Sequence, residues 1–314
     1  MNEAREKTEI IIDKLHASIK GKKKKVRTYR IKARKDYLKV SKKRKKGKKE
    51  LYKALKKQLS YLNRNLKHIE KLKENTSLKI LKNREYRDLL VISELHRQQE
   101  IMHRTKSNRI EDRIVSISQP YVRPIVRGKS GTPVEFGAKL TISVTDGYVF
   151  TERLSWDNYN EGVDFIETVE RYRERFGYLP ESAHVDKIYQ NRANRQFCAQ
   201  NNVRLSGPKL GRPSKESEEK KKNKKQQRQD EIDRIPVEGK FGNGKRKYGL
   251  DMIMAKSKET SETTIGLIIL IMNLERLRAR FYFAFFIFIN CCSKRNKKTN
   301  SFLPKREKRM DRAA

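Results

Sequence analysis

The stretch "FGAKLTISVTDGYVFTERLSW", residues 136–156, decides the fold class. Leu140, Ile142 and Val144 alternate with Thr141, Ser143 and Thr145, the period-two pattern of a half-buried strand. Asp146-Gly147 follows and suits a two-residue hairpin turn, after which "YVFTERL" returns as a second strand. Trp156, the one tryptophan, is expected to pack with Asp157 at the end of that hairpin. Downstream, a helix is expected from Asn160, with Val163, Ile166, Val169 and residues 172–176 as its inner stripe and Gly177 as its C-terminal cap. "SAHVD" (182–186) reads as a short buried strand ending in an acid, "NRANRQFCAQNN" (191–202) as a helix and "VRLSG" (203–207) as another strand. Upstream, "RIVSI" (113–117) is a further strand candidate. Strands that alternate with helices in this way point to an α/β class, a mixed sheet flanked by helices.

The N-terminal third has a different texture. Leu51, Leu55, Leu59, Leu62, Leu66, Ile69 and Leu72 recur at steps of three and four, one apolar face of a helix with lysines around the rest. "ENTSL" (74–78) breaks it, and a second helix is expected over 83–103. Together they read as a helical hairpin; a coiled-coil seam is the alternative for the stripe. Ahead of them, residues 20–49 hold 18 Lys or Arg in 30 positions, a basic arm suited to phosphate contact. The expected organisation is a basic helical region over 1–107, a catalytic-type domain over 108–290 with a low-complexity basic insertion at about 208–230, and a basic, unstructured tail over 291–314.

Charge narrows the function. The 314 residues include 77 Lys or Arg against 38 acidic residues, a formal net charge of +39. Residues 1–107 carry 35 basic and 12 acidic residues, so +23 of it lies there. Such an excess points to nucleic acid first and an anionic membrane surface second. "TIGLIILIMNL" (264–274) and "FYFAFFIFINCC" (281–292) are each too short to span a bilayer. Joining them would bury the four charges of "ERLRAR", at about 2.5–3.5 kcal/mol each. They are read as a buried helix followed by a second apolar element, and no membrane association is expected. The N-terminus has no apolar run of export-signal length. Cys198, Cys291 and Cys292 have no metal-ligand spacing and point to a reducing compartment, the cytoplasm.

The chemistry centres on two acids. "GKFGNGKR" (239–246) has the skeleton of a nucleotide phosphate loop, but Arg246 stands where Ser or Thr is needed and no apolar strand precedes it. Pro236 is expected to open a helix, and the three glycines to let the backbone approach a partner such as a DNA phosphate. Glu238 lies just before this stretch, with Arg234 four residues upstream and Lys245 seven downstream. Asp186 ends the 182–186 strand, where α/β folds place functional groups. Carboxylates that hold Mg2+ or Mn2+, flanked by cations that hold phosphates, form the combination phosphodiester chemistry needs. The bland alternatives are a turn or cap role for Asp186 and a surface ion pair for Glu238. Arg123, Arg127 and Lys129, in a Pro- and Gly-rich loop, are further candidate phosphate contacts.

"HVDKIYQNRANRQFC" (184–198), "VRLSGPKLGRP" (203–213) and "RIPVEGKFGNGKRKYGL" (234–250) resemble the DDE transposases of bacterial insertion sequences. The likeness extends from "NEAREKTE" (2–9) to about residue 290. It implies an RNase H-like fold, preceded here by the basic helical hairpin region, and metal-dependent cleavage and transfer of DNA strands. Arg, three residues, Glu, six residues, Lys is a spacing such families show, and Arg234, Glu238 and Lys245 satisfy it. Asp186 then corresponds to the second acid and Glu238 to the third, both metal ligands with Mg2+ or Mn2+ as cofactor. The first acid has no Asp-Ala-Thr-like strand to carry it. Asp112, in "EDRIVSIS", borders a strand candidate and Asp146 lies in the hairpin turn; neither is expected to replace the first acid, and Asp112 is the one kept as a candidate. The expectation is therefore a transposase shortened at its N-terminus that cleaves DNA little, or an inactive DNA-binding remnant. Double-stranded DNA is the implied partner, a homodimer is compatible, and a prokaryotic, nucleoid-associated location follows.

Overall fold

The computed structural model describes residues 1–19, 26–126, 134–207 and 217–300; Arg127 and Lys129 lie outside them, as do residues 208–216 and 301–314. The chain divides into two compact units, the first comprising Met1–Lys139, Ser155–Tyr159 and Lys256–Lys258, the second the remainder.

The first unit is built on helices α1 (Asn2–Ser18), α2 (Arg30–Ser41), α3 (Lys48–Lys73) and α4 (Asn83–Thr105). The leucine stripe of α3 is buried in its second half, at Leu59, Leu62, Ile69 and Leu72, while Leu55 and Leu66 are half-buried and Leu51 is exposed. Ile11, Ile12 and Leu15 of α1 pack on Ile69, Leu72 and Leu89, while Ala4 joins Leu62, Ile92 and Leu95 in an adjoining cluster. The inner face of α1 is partly polar. Arg5 is buried and paired with Glu9, and Asn65 of α3 donates to Thr8 Oγ1 at 3.0 Å. Part of the basic segment is ordered: α2 is pinned by Tyr61 donating to Asp36 at 2.9 Å and Gln58 donating to the Ala33 carbonyl at 3.1 Å.

"RIVSI" is not a strand. Gln98 of α4 takes the backbone role of a strand partner, accepting from Ile114 N at 2.9 Å and donating to the Asp112 carbonyl at 3.1 Å. Ile114 and Ile117 then anchor the segment in the α1–α3–α4 core. Strands β1 (Arg123–Val126) and β2 (Val134–Gly137) form an antiparallel pair. Trp156 is buried edge-on against Tyr121, with ring centroids 4.5 Å apart.

The second unit opens with the body of the hairpin, Leu140–Leu154. β3 (Lys139–Thr145) pairs with β4 (Tyr148–Ser155). Asp146 and Gly147 have φ of 53° and 81°, the two left-handed positions a primed hairpin turn requires. Neither face of β3 is fully buried: Thr141 is its one buried residue, while Leu140, Ile142 and Val144 are half-buried, as are Ser143 and Thr145. The hydroxyl face meets a buried acid. Glu152 accepts from Ser143 and receives a two-pronged ion pair from Arg175, at 2.6 and 3.0 Å. Arg175 lies on α5 (Phe165–Phe176), which Gly177 caps at φ 81°. Val163 is exposed, outside α5 in a preceding 3-10 turn, and Phe165 takes its expected place in the core.

A parallel βαβ unit follows: β5 (Ser182–Ala183), α6 (Arg192–Gln200) and β6 (Arg204–Leu205), with Ser182 opposite Arg204 and Ala183 opposite Leu205. Phe165, Val169, Cys198 and Val203 form the core beneath it. Among the described residues the strands form three two-stranded sheets. The mixed α/β class is present, but among the described residues one continuous mixed sheet is not: the three pairs are separate, and β5 and β6 share only two residue pairs.

Two long helices complete the unit, α7 (Ser217–Tyr248) and α8 (Lys258–Asn300). Both correct the sequence reading. Pro236, Gly239, Gly242 and Gly244 all lie inside α7, although Pro costs about 3 and each Gly about 1 kcal/mol relative to Ala there. The glycines therefore open no loop. Gly244 does permit a close approach, but inward: a Cβ there would lie 3.0 Å from Leu250 Cδ2 and 3.5 Å from Met272 Sδ. The two apolar runs at 264–274 and 281–292 are one helix. Ile265, Ile268, Ile269 and Met272 are buried, whereas Phe281, Phe283, Phe286 and Phe288 are exposed. Asn273 straps α8 to β4, accepting from Val149 N and donating to its carbonyl, both at 2.8 Å. No helix among the described residues is long and apolar enough to cross a membrane.

Candidate active site

The strand expected over 182–186 is shorter and only half-buried, β5 stopping at Ala183, so Asp186 lies three residues beyond it, at the start of a short 3-10 turn, Lys187–Tyr189. Glu238 lies in α7. What brings the two together is the polar face that α7 turns to the βαβ unit. With 3.6 residues per turn, Asp230, Arg234, Glu238 and Lys245 fall on one stripe of α7.

Asp230 is the anchor of that stripe. Its side chain is 7% exposed and accepts from Arg204 of β6 at 2.8 Å, from Gln226 at 3.1 Å and from Gly207 N at 3.4 Å. Burial pushes its carboxyl up, but the hydrogen bonds from Arg204 and Gln226 outweigh this and hold it below the usual carboxylate range. His184, between β5 and Asp186, faces the same carboxylate, with Nδ1 3.6 Å from Asp230 and 3.9 Å from Asp233. Its Nε2 is 3.0 Å from Ser182 Oγ. His184, Asp230 and Asp233 bring three ligand-type atoms within 4.8 Å of one another.

One turn beyond Asp230, Arg234 reaches across to the strand side. Its Nη1 binds Asp186 Oδ1, and its Nη2 lies 3.2 Å from Glu238 Oε1. One guanidinium thus spans both acids singled out in the sequence. The carboxylates are open to solvent, at 64% exposure for Asp186 and 68% for Glu238. Hard, exposed carboxylate oxygens on two facing elements are a donor set that suits Mg2+ or Mn2+, which retain several waters. Lys245, exposed near the end of α7, makes no ion pair among the described residues.

The other candidates lie in the first unit. Asp112 is in a tight turn at φ 49° and pairs with Arg123 at 3.3 Å. Arg123 also donates to the Pro120 carbonyl at 2.6 Å, so its guanidinium is already engaged. Sequence reasoning misses Asp230, Asp233 and Arg204, and gives His184, two residues from Asp186, no role because the histidines show no metal-ligand spacing. A signal for Asp230 was available, since it precedes Glu238 by eight residues, but only once α7 is known to be continuous.

Residues 183–275 match a family model, the Transposase DDE domain. That span supports a DDE transposase family. It begins in β5 and ends in α8, and so takes in Asp186, Arg234, Glu238 and Lys245. No curated protein and no solved structure matches the chain. The DDE segment coincides with the elements that carry the Asp230 anchor and the Arg234 bridge.

Proposed function

We propose that the chain is a DDE-type transposase whose Asp186 and Glu238 hold a divalent metal, Mg2+ or Mn2+, for cleavage and transfer of double-stranded DNA at insertion-sequence ends. The observation that carries this is the single guanidinium of Arg234 shared by Asp186 and Glu238, inside the segment that matches the DDE family. The parallel βαβ unit beside it supports an RNase H-like core. When bound, the metal would polarise the phosphodiester and lower the pKa of an attacking water. Asp186 and Glu238 fix its place from two sides, and Asp230 holds α7 in register through Arg204. Lys245, exposed on the same stripe, meets a DNA phosphate, and Arg123, Arg127 and Lys129 are further proposed backbone contacts. The first unit supplies the larger part of the positive charge, consistent with sequence-independent phosphate binding.

A second reading, a DNA-binding protein without cleavage, is favoured by the state of Asp112. The remaining candidate for a third metal ligand is tied to Arg123 in the first unit, and two carboxylates alone leave a two-metal clamp short of ligands. Nicking of a supercoiled plasmid with Mn2+ separates the readings. Loss of nicking in both Asp186→Asn and Glu238→Gln is the outcome expected of the transposase site. Nicking that survives either change contradicts it, and DNA binding with no nicking by the unmodified chain selects the second reading.

A further inference from the structure

We propose that Arg234 is a removable plug: in the DNA-free chain its guanidinium fills the place of the metal, and a phosphate of bound DNA draws it out, so that metal and DNA bind cooperatively. This rests on the reading of Asp186 and Glu238 as metal ligands.

The geometry gives the first half. Nη1 binds Asp186 and Nη2 binds Glu238, so a cation able to touch both carboxylates must displace or face a like charge already between them. The energy scale gives the second half. Arg234 is 37% exposed and both acids are more exposed still. Ion pairs so exposed contribute little, so the clasp opens at small cost. What opens it is a competitor of the right shape. A phosphodiester offers two non-bridging oxygens that match the guanidinium fork, as a carboxylate does. Lys245 lies on the same stripe of α7, with no ion-pair partner among the described residues to give up, and it marks the side from which the phosphate arrives. Moving Arg234 onto DNA removes a positive charge from the carboxylate pair and leaves two acids facing each other, a strong site for a divalent ion. Linkage then requires that the metal raise DNA affinity by the same factor as DNA raises metal affinity.

The size follows from Coulomb's law. A unit positive charge about 6 Å from a divalent ion, at the dielectric of water, weakens binding by about tenfold. The test is Mn2+ binding to the full chain, read from the electron paramagnetic resonance signal of free Mn2+, with and without a duplex oligonucleotide. An Asp186→Asn, Glu238→Gln double variant serves as the blank for ions held by the DNA. Without DNA, Arg234→Gln is expected to bind Mn2+ about tenfold more tightly than the unmodified chain, and Arg234→Ala to behave the same way. Duplex is expected to raise the affinity of the unmodified chain by that factor and to leave Arg234→Gln unchanged. Equal affinities in the unmodified chain and Arg234→Gln, both lost in the double variant, would overturn the plug and leave the metal pair standing. No binding above the blank by either, with or without duplex, would overturn both.

Discussion

Replacing Asp230 with alanine should loosen α7 from the βαβ unit and with it the registry of Glu238 against Asp186. Asp230 is 7% exposed and holds Arg204 at 2.8 Å and Gln226 at 3.1 Å. Hydrogen bonds to a charged group contribute about 1.5–3 kcal/mol each when dry. Arg204 is 43% exposed and regains water when its partner is removed, so its share is discounted toward the lower limit. The expected loss is about 2–3 kcal/mol for Asp230→Ala and about half that for Asp230→Asn, which keeps the shape and an acceptor oxygen. Urea unfolding followed by far-ultraviolet circular dichroism reads the difference, with exposed Glu231→Ala on the same helix as control, expected within about 0.5 kcal/mol of the unmodified chain. The pH dependence has a definite sign. Because the folded-state pKa of Asp230 is depressed, its contribution is present above the unfolded value of about 3.9 and is lost as pH falls through the lower folded value. The gap between the unmodified chain and Asp230→Ala should therefore close in acid. An Asp230→Ala variant as stable as Glu231→Ala at neutral pH, or a gap that widens in acid, would refute the reasoning.

Three further outcomes are expected. Gly162→Ala places a Cβ 2.5 Å from the Ile188 carbonyl oxygen, a backbone atom that cannot swing aside; the cost should be about 1–3 kcal/mol in the same unfolding assay, and an unchanged midpoint would contradict the packing described. Leu62→Ala, at a fully buried site between Ala4 and Ile92, should cost about 2–5 kcal/mol, whereas Leu51→Ala, on the exposed end of the same helix, should leave stability within about 0.5 kcal/mol. Binding to duplex DNA should fall steeply with salt, and Lys245→Gln should reduce the slope of log K against log salt by about 0.9, one phosphate contact; an unaltered slope places Lys245 away from DNA.

Much of the fold was legible where one residue pattern had one structural meaning. The leucine steps of α3 admit only a helix, and Asp146-Gly147 between alternating residues admits little but a hairpin. Where polar residues do structural work, legibility failed. The inner face of α1 includes Arg5, Thr8 and Glu9, so its apolar stripe is broken although the helix is central to the first core. In the hairpin the hydroxyl of Ser143 joins a buried charged pair, Glu152 with Arg175, which the alternation of polar and apolar residues does not announce. In α7, Pro236 and three glycines read as a break, yet the helix continues, held by side chains such as Asp230 and Arg234 that bond to β6 and Asp186. The charges of 275–280 looked like a separator between two apolar elements. They are compatible with a single helix, and residues 267–300 contain neither Gly nor Pro to stop one.

The candidate site divides along the same line. Asp186 and Glu238 could be singled out from an expected strand end and from spacing, although β5 stops at Ala183, three residues short of Asp186. That one arginine joins them could not, because it requires α7 and β5 to meet in space. His184 and Asp233 carry no one-dimensional spacing at all, being 49 residues apart.

The most direct measurement is the anomalous scattering of manganese in crystals of the chain bound to duplex DNA. A peak between the carboxylates of Asp186 and Glu238, with the Arg234 guanidinium moved onto a phosphate, is the result expected. A peak at His184, Asp230 and Asp233 instead, or none near Glu238 while DNA is bound, would contradict the account.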